Sequence, residues 1–84
     1  PQAFHVWPNP VRDALHIAWR GDLRQMPHRY AVHDILGRHR YEATVESWRG
    51  ELVWDCSTQP SGSYLVSLVA ADGSQIATIS VIKE

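Results

Sequence analysis

The chain has a single cysteine, Cys56, which excludes an internal disulfide framework and any multi-cysteine zinc site. It has no apolar run near the length of a membrane-spanning helix. Its first residues lack the basic region and hydrophobic block of a secretory leader. Charge of one sign is missing too: a formal net charge of −1 removes the electrostatic footprint of a nucleic-acid or anionic-membrane binder. Six of the eight basic residues do lie between Arg20 and Arg49, but Asp22, Asp34, Glu42 and Glu46 share that stretch and make it a mixed solvated face. No window carries a 3.6-residue apolar period, so long helices are not expected. There is no initiator methionine; a chain opening at Pro1 is expected to be a processed or excised piece of something longer.

What is present fits one small domain spanning residues 1–84. A chain of this length hides only about 60% of its extended surface on folding, enough for a modest core but hardly for a deep substrate cleft as well. Hydrophobic content of 44% against 20% charged residues separates it from disordered tails.

Turn chemistry punctuates the chain at short intervals: Pro8-Asn9-Pro10, Gly21-Asp22, Leu36-Gly37, Arg49-Gly50, Pro60-Ser61-Gly62 and Asp72-Gly73. The segments between are rich in Val, Ile, Trp and Tyr and read as strands over 3–7, 13–19, 29–35, 38–45, 51–56, 63–70 and 74–83. Alternation places Leu15, Ile17 and Trp19 on one inward face, Tyr30 and Val32 on a second, and Tyr64, Val66 and Leu68 on a third. Ala77, Ile79 and Val81 follow on the last strand. The polar segment 38–45 suits an edge strand whose charges resist unwanted pairing. Asp72-Gly73 is the strongest hairpin signal, because both residue types tolerate positive φ. Residues 20–28 have room for one helical turn between Gly21 and Pro27. Seven short strands in 84 residues predict an all-β, seven-stranded antiparallel immunoglobulin-like β-sandwich.

Catalytic constellations are scarce. No nucleophile elbow or glycine-rich phosphate loop is present, and His5, His16, His28, His33 and His39 match no common metal spacing. His16 and His33 are expected as surface histidines on neighbouring strands, and Cys56 as a buried small hydrophobe rather than a nucleophile. No cofactor, metal or enzymatic activity is expected. Four tryptophans, Trp7, Trp19, Trp48 and Trp54, are many for so short a chain. As a group they read as core, with loop-borne Trp48 the best candidate for exposure.

The order of the turns carries more than their presence. Pro8-Asn9-Pro10 followed by Asp13-Ala14-Leu15-His16-Ile17 resembles the opening of the C-terminal sorting domains of the type IX secretion system, type A. Val32-His33-Asp34-Ile35-Leu36-Gly37-Arg38 is similar to that family's central strand and its D-x-x-G-R turn. Trp54-Asp55-Cys56-Ser57 through Pro60-Ser61-Gly62-Ser63-Tyr64 is similar to its third block. Asp72-Gly73 with Val81-Ile82-Lys83 matches the closing hairpin and tail. Gln59 stands where the family usually has an apolar residue, and His39-Arg40 replace its usual valine pair.

The resemblance implies an export address at the C-terminus of a larger cargo protein from Bacteroidota. Such a domain passes through the periplasm and is recognised by the outer-membrane translocon. A surface sortase commonly removes it as the cargo reaches the cell surface or the medium. Gly37, Gly62 and Tyr64 are expected to serve through folding. Arg38 and Lys83, charged groups at a loop and a terminus, are the expected recognition residues together with Val81 and Ile82; Lys83 is expected to be exposed. Two other classes stay open at this point: a carbohydrate-binding accessory sandwich using the tryptophans, and a structural spacer module of an adhesin.

Overall fold

A computed structural model describes residues 4–19, 27–45 and 51–84. Its strands are β1 (Phe4–Trp7), β2 (Ala14–Trp19), β3 (Arg29–Asp34), β4 (His39–Thr44), β5 (Glu51–Asp55), β6 (Gly62–Val69) and β7 (Gln75–Lys83). They form a three-stranded sheet in the order β1-β2-β5 and a four-stranded sheet in the order β4-β3-β6-β7, with every strand pair antiparallel. The expected strands are all present with their ends shifted by a residue or so; most are trimmed, and β6 begins one residue early, at Gly62. Ile35, expected to end β3, lies in the following turn, and Cys56 lies just beyond β5. Most of the expected helical turn at 20–28, and all of the loop carrying Trp48, fall outside the described residues.

The alternation in the sequence becomes the register of the two sheets. Leu15, Ile17 and Trp19 of β2, with Phe4 and Trp54 beside them, bury against Tyr30, Val32, Tyr64, Val66, Leu68 and Val81 of the other sheet. Ala77 and Ile79 are half-buried and pack against the same core. Trp54 ties the layers together. It is 1% exposed, and its ring centroid lies 6.2 Å from that of Tyr41 and 5.9 Å from that of Tyr64. Such edge and tilted contacts add to the large apolar area that the ring removes from water.

Strand β4 is an edge strand, as its polar sequence predicts, and its Glu42 pairs with both Arg29 of β3 and His39. A register shift between Val32 and His33 places the His33 and His39 rings edge-to-face at 5.3 Å. His16 and His33 do not share neighbouring strands as expected; β2 and β3 belong to different sheets. The sequence could not show this, because facing and flanking strands carry the same alternation.

The β6–β7 turn also differs in detail. Only Gly73 adopts positive φ (89°), whereas Asp72 accepts hydrogen bonds at Oδ1 from the backbone N–H (2.9 Å) and hydroxyl (2.6 Å) of Ser74. Asp serves here as a turn-closing acceptor rather than as a second left-handed residue.

Candidate recognition pole

Three connections and the last strand meet at one end of the molecule. The register places Asp34 beside Tyr64, and Tyr64 beside Val81, so the ends of β3 and β7 and the start of β6 lie level. Strand β6 runs away from this end, which puts the Asp72-Gly73 turn at the opposite pole. The other three turn motifs among the described residues gather with the terminal strand.

In the first connection, Pro8, Asn9 and Pro10 are exposed while Val11 is fully buried. Asn9 Oδ1 accepts the Ile82 N–H at 3.0 Å. Val11 then pairs in parallel with Lys83: its N–H donates to the Ile82 carbonyl at 2.7 Å, and its carbonyl accepts from the Glu84 N–H at 2.8 Å. A sheet edge otherwise left with open backbone groups is closed here by the chain's own opening motif.

In the second connection, Gly37 supplies the positive φ (82°) that the turn requires. The Asp34 carboxylate organises the rest. Its Oδ1 accepts the N–H of Leu36 (3.0 Å) and of Arg38 (2.9 Å), and its Oδ2 accepts the Arg38 Nε–H at 2.7 Å. Burial alone raises the carboxyl pKa; the hydrogen bonds from Arg38 and Leu36, with the guanidinium charge, outweigh it and hold Asp34 below the usual aspartate range.

In the third connection the Tyr64 hydroxyl donates to the Pro60 carbonyl at 2.5 Å, folding the loop back onto the start of β6. The Cys56 N–H donates to the Asp13 carbonyl at 2.8 Å, joining this loop to the first. Burial pushes the Cys56 thiol pKa up although the Lys83 charge pulls it down, a shift that disfavours the nucleophilic thiolate. Between the second and third connections lies a cavity of about 270 Å³ lined by residues that include Ile35, Leu36, Arg38, Arg40, Pro60 and Tyr64.

The terminal strand departs from expectation at one residue. Val81 is 1% exposed and Ile82 52% exposed, but Lys83 is only 7% exposed, its Nζ donating to the Glu84 carbonyl at 2.9 Å. The two-residue period of a strand puts Lys83 in phase with Val81, and the bridge to Val11 covers it. The exposed side chain of the tail is therefore Ile82. Arg38 is exposed, as expected of a turn residue.

Sequence reasoning missed a set of exposed aliphatic side chains at this pole. Ile35 (72%) and Leu36 (73%) crown the second connection, and Leu65 (40%) lies diagonally from Ile82 across β6 and β7. Leu65 occupies a position in the strand's polar phase, the one signal that marked it out. Among the described residues no three His, Cys, Asp or Glu side chains converge to hold a metal ion, and no helix is long and apolar enough to cross a membrane.

The chain is thus an all-β domain of two antiparallel sheets, with three of its turn motifs drawn up around the end of its last strand. A family model described as a secretion system C-terminal sorting domain matches residues 5–83. The chain belongs to that family, the C-terminal sorting signals of the type IX secretion system, which direct export to the cell surface or into the medium. No curated protein and no solved structure matches it. The carbohydrate-platform and spacer readings find no support. Trp19 and Trp54 are core residues as expected, but Trp7 is not: it is exposed on β1, its ring stacked between those of His5 and His16 at 5.1 Å from each.

Proposed function

We propose that the pole carrying Val81-Ile82 and the Asp34–Arg38 turn is the face read by the outer-membrane translocon while the domain is in transit through the periplasm. Ile82 and Arg38 present the contacting side chains. Val81 holds the register from inside, and Lys83 is a structural member rather than a contact. The domain is a single unit without enzymatic activity of its own. It serves an N-terminal cargo and is removed by a surface sortase on arrival.

One observation carries this reading: Ile82 is held by backbone bonds to Asn9 and Val11 while its side chain stays in solvent. A tail fixed on both edges loses little freedom when a partner engages it, which favours recognition by a rigid surface. The fold is of immunoglobulin-like type in this reading. The fourth strand joins the β3-β6-β7 sheet, and the Tyr64–Pro60 bond at the start of the sixth strand supports it as the tyrosine corner of such sandwiches.

The test is a fusion of residues 1–84 behind a Sec-exported reporter in a host with type IX machinery. The intact fusion is expected at the surface or in the medium, and an Ile82→Ser fusion of unchanged melting temperature in the periplasm. Periplasmic retention of the intact fusion would overturn the reading.

A further inference from the structure

The cavity between the second and third connections has a chemistry that its role in folding does not use up. Two guanidinium groups line it. Arg38 spends its Nε–H on Asp34 Oδ2, and Arg40 spends its Nε–H on the neutral Gln59 Oε1 at 3.3 Å. Neither the Arg38 nor the Arg40 Nη groups have a partner among the described residues. Asp34 already has both oxygens engaged by the turn itself. Of the charged groups lining the cavity, Asp34 balances Arg38 and leaves the Arg40 charge unanswered. A planar guanidinium with a free fork suits a carboxylate, which it binds through two parallel hydrogen bonds.

The rest of the lining combines the apolar Ile35, Leu36, Pro60 and Tyr64 with Ser61, Gly62 and Ser63. Ile35 and Leu36 stand at the rim, 72% and 73% exposed, with Pro60 and the Tyr64 ring within. At about 270 Å³ the cavity is slightly smaller than a typical small-molecule site, and it opens onto exposed aliphatic surface. That combination fits part of a longer chain better than a free ion. A doubly charged phosphate would also meet Asp34 beside the one unbalanced cation, whereas a single carboxylate matches it.

We infer that this cavity binds an extended peptide segment of a partner protein, taking a carboxylate on Arg40 and an adjoining aliphatic side chain against Ile35 and Leu36. The inference rests on the reading of this pole as the recognition face and adds to it the chemistry of what is recognised: an acidic residue next to Leu, Ile or Val on the partner. Arg40 stands on an edge strand, so the partner backbone can approach without displacing any part of the core.

The test uses the 84-residue chain and two capped tetrapeptides, Ac-Ala-Leu-Glu-Leu-NH2 and its Glu→Gln counterpart, titrated by amide NMR shifts. The acidic peptide is expected to perturb residues 34–40 and 61–64, and to bind at least about tenfold more tightly than the neutral one, a difference near 1.4 kcal/mol. Arg40→Gln is expected to abolish that preference and Arg40→Lys to restore it in part. Leu36→Ser, at an exposed position, is expected to weaken both peptides without changing the melting temperature, so a result is available even where Arg40→Gln fails to fold. Equal binding of the two peptides, perturbation elsewhere, no saturable binding at millimolar peptide, or tighter binding of inorganic phosphate than of the acidic peptide would each overturn the inference. Export of the reporter fusion is read separately. An intact chain that binds the acidic peptide yet leaves its reporter in the periplasm would uphold the peptide site while sinking the sorting-face reading.

Discussion

Asn9 and Ile82 are 73 residues apart in sequence and joined by a hydrogen bond, the Asn9 side-chain oxygen accepting the Ile82 N–H at 3.0 Å. The opening motif is thus a clasp for the closing strand, continued by the backbone pairing of Val11 with Lys83. This explains why an Asn is wanted between two prolines. Pro8 and Pro10 have no N–H to offer a sheet, and Asn9 supplies a side-chain acceptor where the strand ladder has ended.

Replacing Asn9 by Ala should therefore loosen the end of β7 specifically. Loss of one such hydrogen bond at a solvent-accessible site is worth about 1 kcal/mol. For a domain of this size that is a fall in Tm of roughly 4–8 °C. Amide exchange at Ile82 should accelerate while that at Val66 follows only the global change. Equal acceleration at both would show that the clasp has no local role.

Leu15 and Leu68 face one another's sheets and are both fully buried. Leu15→Ala or Leu68→Ala should each cost about 2–5 kcal/mol, read as a shift in the urea midpoint. With net stabilities of small domains near 5 kcal/mol, either variant should be marginal at 37 °C. Near-neutral outcomes at both sites would mean that the two inner faces do not meet as described.

Lys83 and Ile82 should respond in opposite ways to truncation. Lys83→Ala removes a buried stem and should cost about 1–2 kcal/mol, because packing rather than charge is lost. Ile82→Ser, on the exposed face, should change stability by less than about 0.5 kcal/mol. Thermal melts of the two variants decide it, and a neutral Lys83→Ala would contradict the burial of that side chain.

Acid should destabilise the fold through its turns. Burial at Asp34 is outweighed by the bonds from Arg38 and Leu36, and the Ser57 and Ser74 hydroxyls and N–H groups lower Asp55 and Asp72. All three therefore have folded pKa values below the unfolded value of about 3.9. The unfolded chain then binds more protons in the acid range, so the stabilisation is fully present above the unfolded pKa and is lost as pH falls through the folded values. The urea midpoint should be insensitive to these groups above about pH 5 and should fall below about pH 4. Asp34→Asn should reduce that fall. A midpoint that holds constant from pH 5 to pH 3, to order of magnitude the window in question, would refute the assignment.

Strand positions, inward faces and turn sites followed from the sequence because each is a local property. A two-residue alternation fixes which side chains share a face, and Gly37 and Gly73 mark where the chain must take positive φ. The resemblance carried by Pro8-Asn9-Pro10, Asp34 to Arg38 and Pro60 to Tyr64 likewise sufficed for the family. Which strands neighbour which was not local, so His16 and His33 were placed on adjacent strands when they lie in different sheets. Lys83 read as an exposed terminal charge because its covering partner, Val11, stands at the other end of the chain. The cavity at Arg40 and the aliphatic rim of Ile35 and Leu36 exist only once β3, β4 and the loop before β6 are brought together. Tertiary pairing alone decides what faces a given side chain, and hence whether its charge or apolar surface is used up in the fold or left for a partner.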